Sequence, residues 1–176
     1  YFAKQKVDVA IIETGMGGRL DSTNLIQPLL SVITNIGLDH MQYLGSDLQS
    51  IAKEKAGIIK NGVPVVIGQT QAETKPVFEA KAAEAGAPIV FADRVFDANR
   101  VDTSDKQMQV FDIWKNSELF IEQQEIPLLG HYQQKNLITA VCAVDMLQRT
   151  FNIDLKDIRG GIETVVRSTG LSGRWQ

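Results

Sequence analysis

The sequence predicts an α/β fold: a mostly parallel sheet flanked by helices, with a small antiparallel β excursion. Three observations carry that expectation. Short, nearly continuous apolar runs occur at residues 7–13, 29–36, 65–68 and 89–91, as in strands buried on both faces. Helix-forming stretches separate the later runs, and strands alternating with helices build a parallel sheet. Residues 94–127 break the rhythm: Val110-Phe111-Asp112-Ile113-Trp114 and Leu119-Phe120-Ile121 alternate as antiparallel strands about the turn Lys115-Asn116-Ser117-Glu118.

The first run ends in Glu13 and meets Thr14-Gly15-Met16-Gly17-Gly18, too glycine-rich for helix or strand. The second stops at Gly37, followed by Leu38-Asp39-His40. Residues 46–60 predict a helix, with Ser46 or Asp47 as cap and Leu48, Ile51, Ala52 and Ala56 at helical spacing. Gly62 and Pro64 close it before the third strand. The alanine- and charge-rich residues 72–85 form the next helix, closed by Gly86 and Pro88. A helix at about 131–149 aligns Leu137, Ala140, Val141, Val144 and Leu147, with Met146 as core, and a last helix spans 154–166.

Composition narrows the function. The chain has 176 residues, 44% hydrophobic and 22% charged, as in a globular body of one domain. A net charge of −3 removes the main electrostatic reason to expect nucleic-acid binding. One cysteine, Cys142, excludes an internal disulfide or a multi-cysteine metal site and suits a reducing cytoplasm. The longest apolar runs are strand-sized, so neither a membrane helix nor a signal peptide is expected. Both ends, Tyr1 and Ser172-Gly173-Arg174-Trp175-Gln176, read as cut from something longer.

Ligands of open parallel sheets bind beyond the carboxyl ends of the strands. Glu13, His40 and the glycines at 15–18 fall at such places, and the glycines would let backbone approach a ligand. Taken singly, each also fits an ordinary role: a surface carboxylate, a structural histidine, a turn. A dinucleotide fingerprint starting at Gly15-Met16-Gly17 fails because position 20 is Leu20. No G-x-x-x-x-G-K-[ST] phosphate loop occurs in the chain.

Longer blocks are more specific. The run Glu13-Thr14-Gly15-Met16-Gly17-Gly18-Arg19-Leu20-Asp21-Ser22-Thr23-Asn24 resembles the signature of folylpolyglutamate and dihydrofolate synthases, of the ATP-dependent Mur-type ligase superfamily. Thr34-Asn35-Ile36-Gly37-Leu38-Asp39-His40, Leu44-Gly45 and Ile51-Ala52-Lys53-Glu54-Lys55-Ala56-Gly57-Ile58-Ile59-Lys60 resemble a second block. Gly130-His131-Tyr132-Gln133-Gln134-Lys135-Asn136 resembles a third, and Ser172-Gly173-Arg174-Trp175-Gln176 a closing one. The resemblance implies that residues 1–176 are an incomplete central ATP-binding domain of P-loop NTPase type. The phosphate-loop segment would precede it and a second domain would follow.

The family reaction adds L-glutamate to dihydropteroate or to a folate glutamate tail. ATP activates the acceptor carboxylate as an acyl phosphate, and the amine of glutamate attacks it. By resemblance, Glu13, His40 and Lys55 hold magnesium near the γ-phosphate, with Lys55 carrying an N6-carbamate. That modification turns a repelled ammonium into an anionic oxygen donor. Lys53, two residues away, points elsewhere. Leu20, Asp21 and Ser22 align with pterin-substrate contacts, although Asp21 equally fits a turn-capping role; Ser22 stands where alanine is more usual. Asn136 and Arg174 align with ATP contacts. The expected partners are small molecules (ATP, L-glutamate, dihydropteroate or a reduced folate), with no nucleic acid, no membrane and a monomeric parent. A Mur-type ligase for a cell-wall precursor and a non-catalytic nucleotide-binding module are the alternatives; the G-G-R-L-D-x-T-N run argues against the former.

Overall fold

The computed structural model describes residues 2–101 and 107–171. A parallel sheet is formed by β1 (Ser31–Ile33), β2 (Val65–Ile67) and β3 (Ile89–Phe91), in that spatial order. Ser31 lies opposite Val65, and Val65 opposite Ile89. The apolar run of β2 is completely buried because both its faces are covered. Val65 and Ile67 join a core with Ile51, Ala52, Phe78 and Ala82, whereas Val66 joins Leu137, Ile138 and Val141 on the other face. The two-residue period of a strand thus splits three adjacent residues between two cores.

Helices α3 (Leu48–Lys55) and α4 (Lys75–Glu84) link successive parallel strands and cover the first face. Asp47 caps α3, accepting from the Ser50 amide at 2.8 Å and the Ser50 hydroxyl at 2.8 Å. Pro76 stands in the first turn of α4, where its missing N–H has no cost. The other face is covered by α6 (Gln133–Phe151), which ends at Asn152 in the left-handed conformation. After it, α7 (Leu155–Glu163) opens with a reciprocal Asp154–Asp157 capping box.

The expected β excursion is an antiparallel sheet of β4 (Phe96–Val101), β5 (Gln109–Lys115) and β6 (Glu118–Ile126). Its turn is at Asn116 and Ser117, both at positive φ, the backbone of a type I′ hairpin. Lys115 ties this sheet to α6 through Asp145, at 2.6 Å, beneath the rings of Phe96 and Phe120. Four short α-helices accompany these elements: α1 (Phe2–Gln5), α2 (Met41–Leu44) and α5 (Ala92–Val95) ahead of the excursion, and α8 (Val165–Thr169) after α7. No described helix is long and apolar enough to cross a membrane.

Two expectations are corrected. Residues 7–13 form no strand, and Val7, Val9 and Ile11 are 44%, 54% and 92% exposed. Apolar content favours burial but supplies no partner. A parallel strand needs a ladder neighbour and cover on both faces, and β1 pairs only with β2 among the described residues. The expected helix at 154–166 is divided at Thr164. There the Thr164 hydroxyl donates back to the Gly160 carbonyl at 2.7 Å, a bond that bends helices.

Candidate functional site at the carboxyl edge of the parallel sheet

The segments leaving β1 and β2 meet the start of α6. Gly68, just after β2, is tightly seated: a β-carbon there would lie 2.4 Å from the Thr34 carbonyl and 2.4 Å from the Thr139 hydroxyl. Only glycine lets these backbones and α6 approach so closely. On the same edge, the Lys135 ammonium reaches the Gln69 side-chain oxygen at 3.3 Å. Asn136 follows on α6, exposed, donating to the Gln133 side chain at 3.1 Å. The segment after β1 runs to His40, which precedes α2 in a left-handed conformation (φ 55°, ψ 33°) and makes no capping bond through its imidazole.

In the glycine loop, Gly17 and Gly18 pack closely against α2 and α3. A β-carbon on Gly17 would sit 2.9 Å from Leu44, and one on Gly18 2.8 Å from the Glu54 carbonyl and 3.0 Å from that of Lys55. Clustered glycine reveals a close approach but not the approaching partner. This docking brings together the three elements that carry the expected ligands: Glu13 lies four residues before Gly17, His40 opens the helix ending in Leu44, and Lys55 ends α3.

Asp21 holds the loop closed. One carboxylate oxygen accepts from the amides of Gly15 and Met16, each at 3.0 Å. The other accepts from the Thr23 amide at 2.9 Å and its hydroxyl at 2.6 Å. These bonds, the Thr23 hydroxyl foremost, hold the Asp21 carboxyl at about 2 against an ordinary 3.8. With four donors already on its two oxygens, Asp21 acts here as the cap of its own turn. Its neighbours Leu20 and Ser22 are exposed, Leu20 at 79%.

Around this loop, several charged groups are engaged. Arg19 pairs with Glu54 at 3.0 Å, and Lys60 donates to the Asn24 carbonyl at 2.7 Å. The side chains of Glu13, Asp39, His40, Lys53 and Lys55 have no hydrogen bond or ion pair among the described residues. Lys53 takes another direction, lining a cleft of about 770 Å³ with Lys60, Glu73 and Lys81, to which Lys55 does not contribute. No group of three or more His, Cys, Asp or Glu side chains among the described residues is arranged to hold a metal. Arg174 lies outside the described residues. The sequence reading missed the Arg19–Glu54 pair and the bond pair between Gln71 and Ile36; both residues of the former stood inside its quoted blocks, but nothing in a sequence links positions so far apart.

The parallel βαβ sheet and the glycine loop docked beside α3 give the domain its frame, and the comparisons place it in a family. Residues 1–144 match the Mur ligase middle domain, and the chain belongs to that family. Within it, the chain is similar to the folylpolyglutamate synthase of Lacticaseibacillus casei, at 38% identity over 92% of this chain and 38% of that protein. It is equally similar, at 38% identity and the same coverage, to the dihydrofolate synthase/folylpolyglutamate synthase of Bacillus subtilis. A solved complex of folylpolyglutamate synthase with AMPPCP and folate superimposes with a TM-score of 0.84 at 38% identity, over 92% of this chain and 40% of that one. The chain therefore spans about two fifths of the length of these relatives.

Proposed function

We propose that this chain is the central part of the ATP-binding domain of a cytoplasmic ligase that adds L-glutamate to dihydropteroate or to a reduced folate. The observation that carries the reading is the set of Glu13, His40 and Lys55. Their side chains, like those of nearby Asp39 and Lys53, have no hydrogen bond or ion pair among the described residues, and the family resemblance selects these three. An uncommitted carboxylate and imidazole are a donor set for a divalent cation, and Lys55 would complete it as a carbamate. Similarity to a protein solved with AMPPCP and folate supports the nucleotide and the substrate class.

The reaction needs a leaving group, since a carboxylate has only oxide to lose. Transfer of the γ-phosphoryl group of ATP to the acceptor carboxylate supplies one, and the amine of glutamate then displaces phosphate. Magnesium, when bound, would neutralise charge on the transferring phosphoryl group. Within this chain, Glu13, His40 and Lys55 would hold that ion. Asn136 and Arg174 would orient ATP, Arg174 through a guanidinium suited to phosphate. Leu20 and Ser22 would face the pterin, and Asp21 would keep them presented by closing the turn. The parent is proposed to act as a monomer on small molecules, without nucleic acid or membrane.

The test is an ATP-dependent ligation assay on the full-length protein with labelled L-glutamate. Product with dihydropteroate or a reduced folate is expected. Turnover only with a cell-wall precursor, or no turnover, contradicts the reading.

A further inference from the structure

Arg19 is held from both sides of Lys55 along the chain. Its backbone amide donates to the Glu54 carbonyl, in the last turn of α3, at 2.8 Å. Its guanidinium forks onto the Glu54 carboxylate, with Nε 3.1 Å from Oε1 and 3.3 Å from Oε2, and Nη2 3.0 Å from Oε1. Behind it stands Gly57, where a β-carbon would lie 2.3 Å from Arg19 Cα and 2.6 Å from its nitrogen. Residues 54 and 57 bracket Lys55, and Arg19 closes the glycine loop that follows Glu13.

Stability does not account for so many contacts on one exposed residue. The Arg19 side chain is 58% exposed and that of Glu54 23%, a setting in which an ion pair contributes little to folding. What the fork does fix is geometry, because bidentate guanidinium–carboxylate contact sets orientation as well as distance. We propose that Arg19 and Glu54 are positioning residues for the ligase reaction, fixing the glycine loop, and Glu13 before it, relative to Lys55. This rests on the reading of Glu13 and Lys55 given under the proposed function. In this role each acts through the segments it joins, keeping two ligand-bearing stretches in register.

The test uses the full-length protein with Arg19→Ala, Arg19→Lys, Glu54→Gln and the reversed pair Arg19→Glu/Glu54→Arg. Misplacement by about an ångström costs on the order of a hundredfold in rate. Accordingly kcat should fall by about 10- to 100-fold in Arg19→Ala and Glu54→Gln, with KM for ATP and glutamate changed by no more than about twofold. Arg19→Lys keeps the charge but not the fork and should remain impaired, whereas the reversed pair should regain about tenfold over the poorer of its single variants. Amide hydrogen exchange at residues 15–20 should quicken by about tenfold in Glu54→Gln, a readout that needs no substrate. Unchanged exchange, or kcat within about twofold of the parent in both single variants, overturns the proposal. Absence of ligation in the unmodified protein would instead sink the ligase reading, and exchange would still decide whether the pair holds the loop.

Discussion

The side-chain amide of Gln71 grips the backbone of Ile36 at both ends: the Ile36 amide donates to Gln71 Oε1 at 2.9 Å, and Gln71 Nε2 donates to the Ile36 carbonyl at 2.9 Å. This imitates a rung of a β-ladder beyond the point where β1 and β2 have ended. It pins the segment that leads to His40. Because Ile36 is only 3% exposed, losing the grip leaves a buried amide unpaired. Gln71→Ala should therefore cost about 2 kcal/mol in urea unfolding of the full-length protein. Gln71→Glu keeps the acceptor and loses the donor, so it should fall between. A loss below about 0.5 kcal/mol in Gln71→Ala would show that water replaces the grip.

Asp21 makes the glycine loop pH-sensitive. Its carboxyl is held down at about 2, against 3.8 in an unfolded chain, by hydrogen bonds that favour the ionised form. A depressed carboxyl contributes fully above its unfolded value and loses that contribution as pH falls through its folded value. The Gly15 and Met16 amide resonances should thus stay native down to pH 3.8 and shift with a midpoint near 2. A midpoint near 3.8 would show that the bonds impose no preference for the ionised form. Asp21→Asn keeps one carbonyl oxygen and should release one side of the turn at neutral pH.

Glycines divide sharply by surroundings. Nothing lies within 4 Å of a β-carbon built on Gly160 or Gly161, both inside α7. Alanine at either should stabilise by about 0.5–1 kcal/mol, from helix propensity and a less flexible unfolded chain. At Gly68 the same change meets the Thr34 carbonyl at 2.4 Å and should destabilise by about 1–3 kcal/mol. Thermal melts of the three variants check the opposite signs.

Cys142 is 1% exposed, and burial, with Asp145 adding to it, pushes its thiol up to about 11. The thiolate is the reactive form, so native protein should resist a thiol reagent at pH 8 and react fully once unfolded. Rapid labelling of the native protein would contradict this placement.

The sequence was informative where a single element carries its own signal. β2, β3, α3, α4 and α6 were legible because their apolar period and their boundary residues Asp47, Gly86 and Pro88 are local. Residues 7–13 were misread because an apolar run does not name its neighbour. The packing of the glycine loop was not legible, because Gly17 and Gly18 reveal closeness but not that Leu44 and Glu54 are what they approach. Glu13 and His40 were picked out by the rule that parallel sheets work at their carboxyl edge, and Asn136 by family resemblance. Lys55 came from family resemblance alone, and its separation from Lys53 now has a structural counterpart in the cleft that Lys53 lines.

Lys55→Ala in the full-length protein should abolish ligation, and short added carboxylates should restore part of it by replacing the anionic oxygen donor. Activity near that of the unmodified protein would remove the carbamate from the account.

The most direct measurement is anomalous diffraction from manganese in crystals of the full-length protein grown with an ATP analogue. The account predicts one peak at coordination distance, about 2.1 Å, from Glu13, His40 and a carbamate on Lys55. A peak held by other side chains, with Lys55 unmodified and remote from it, would contradict the account.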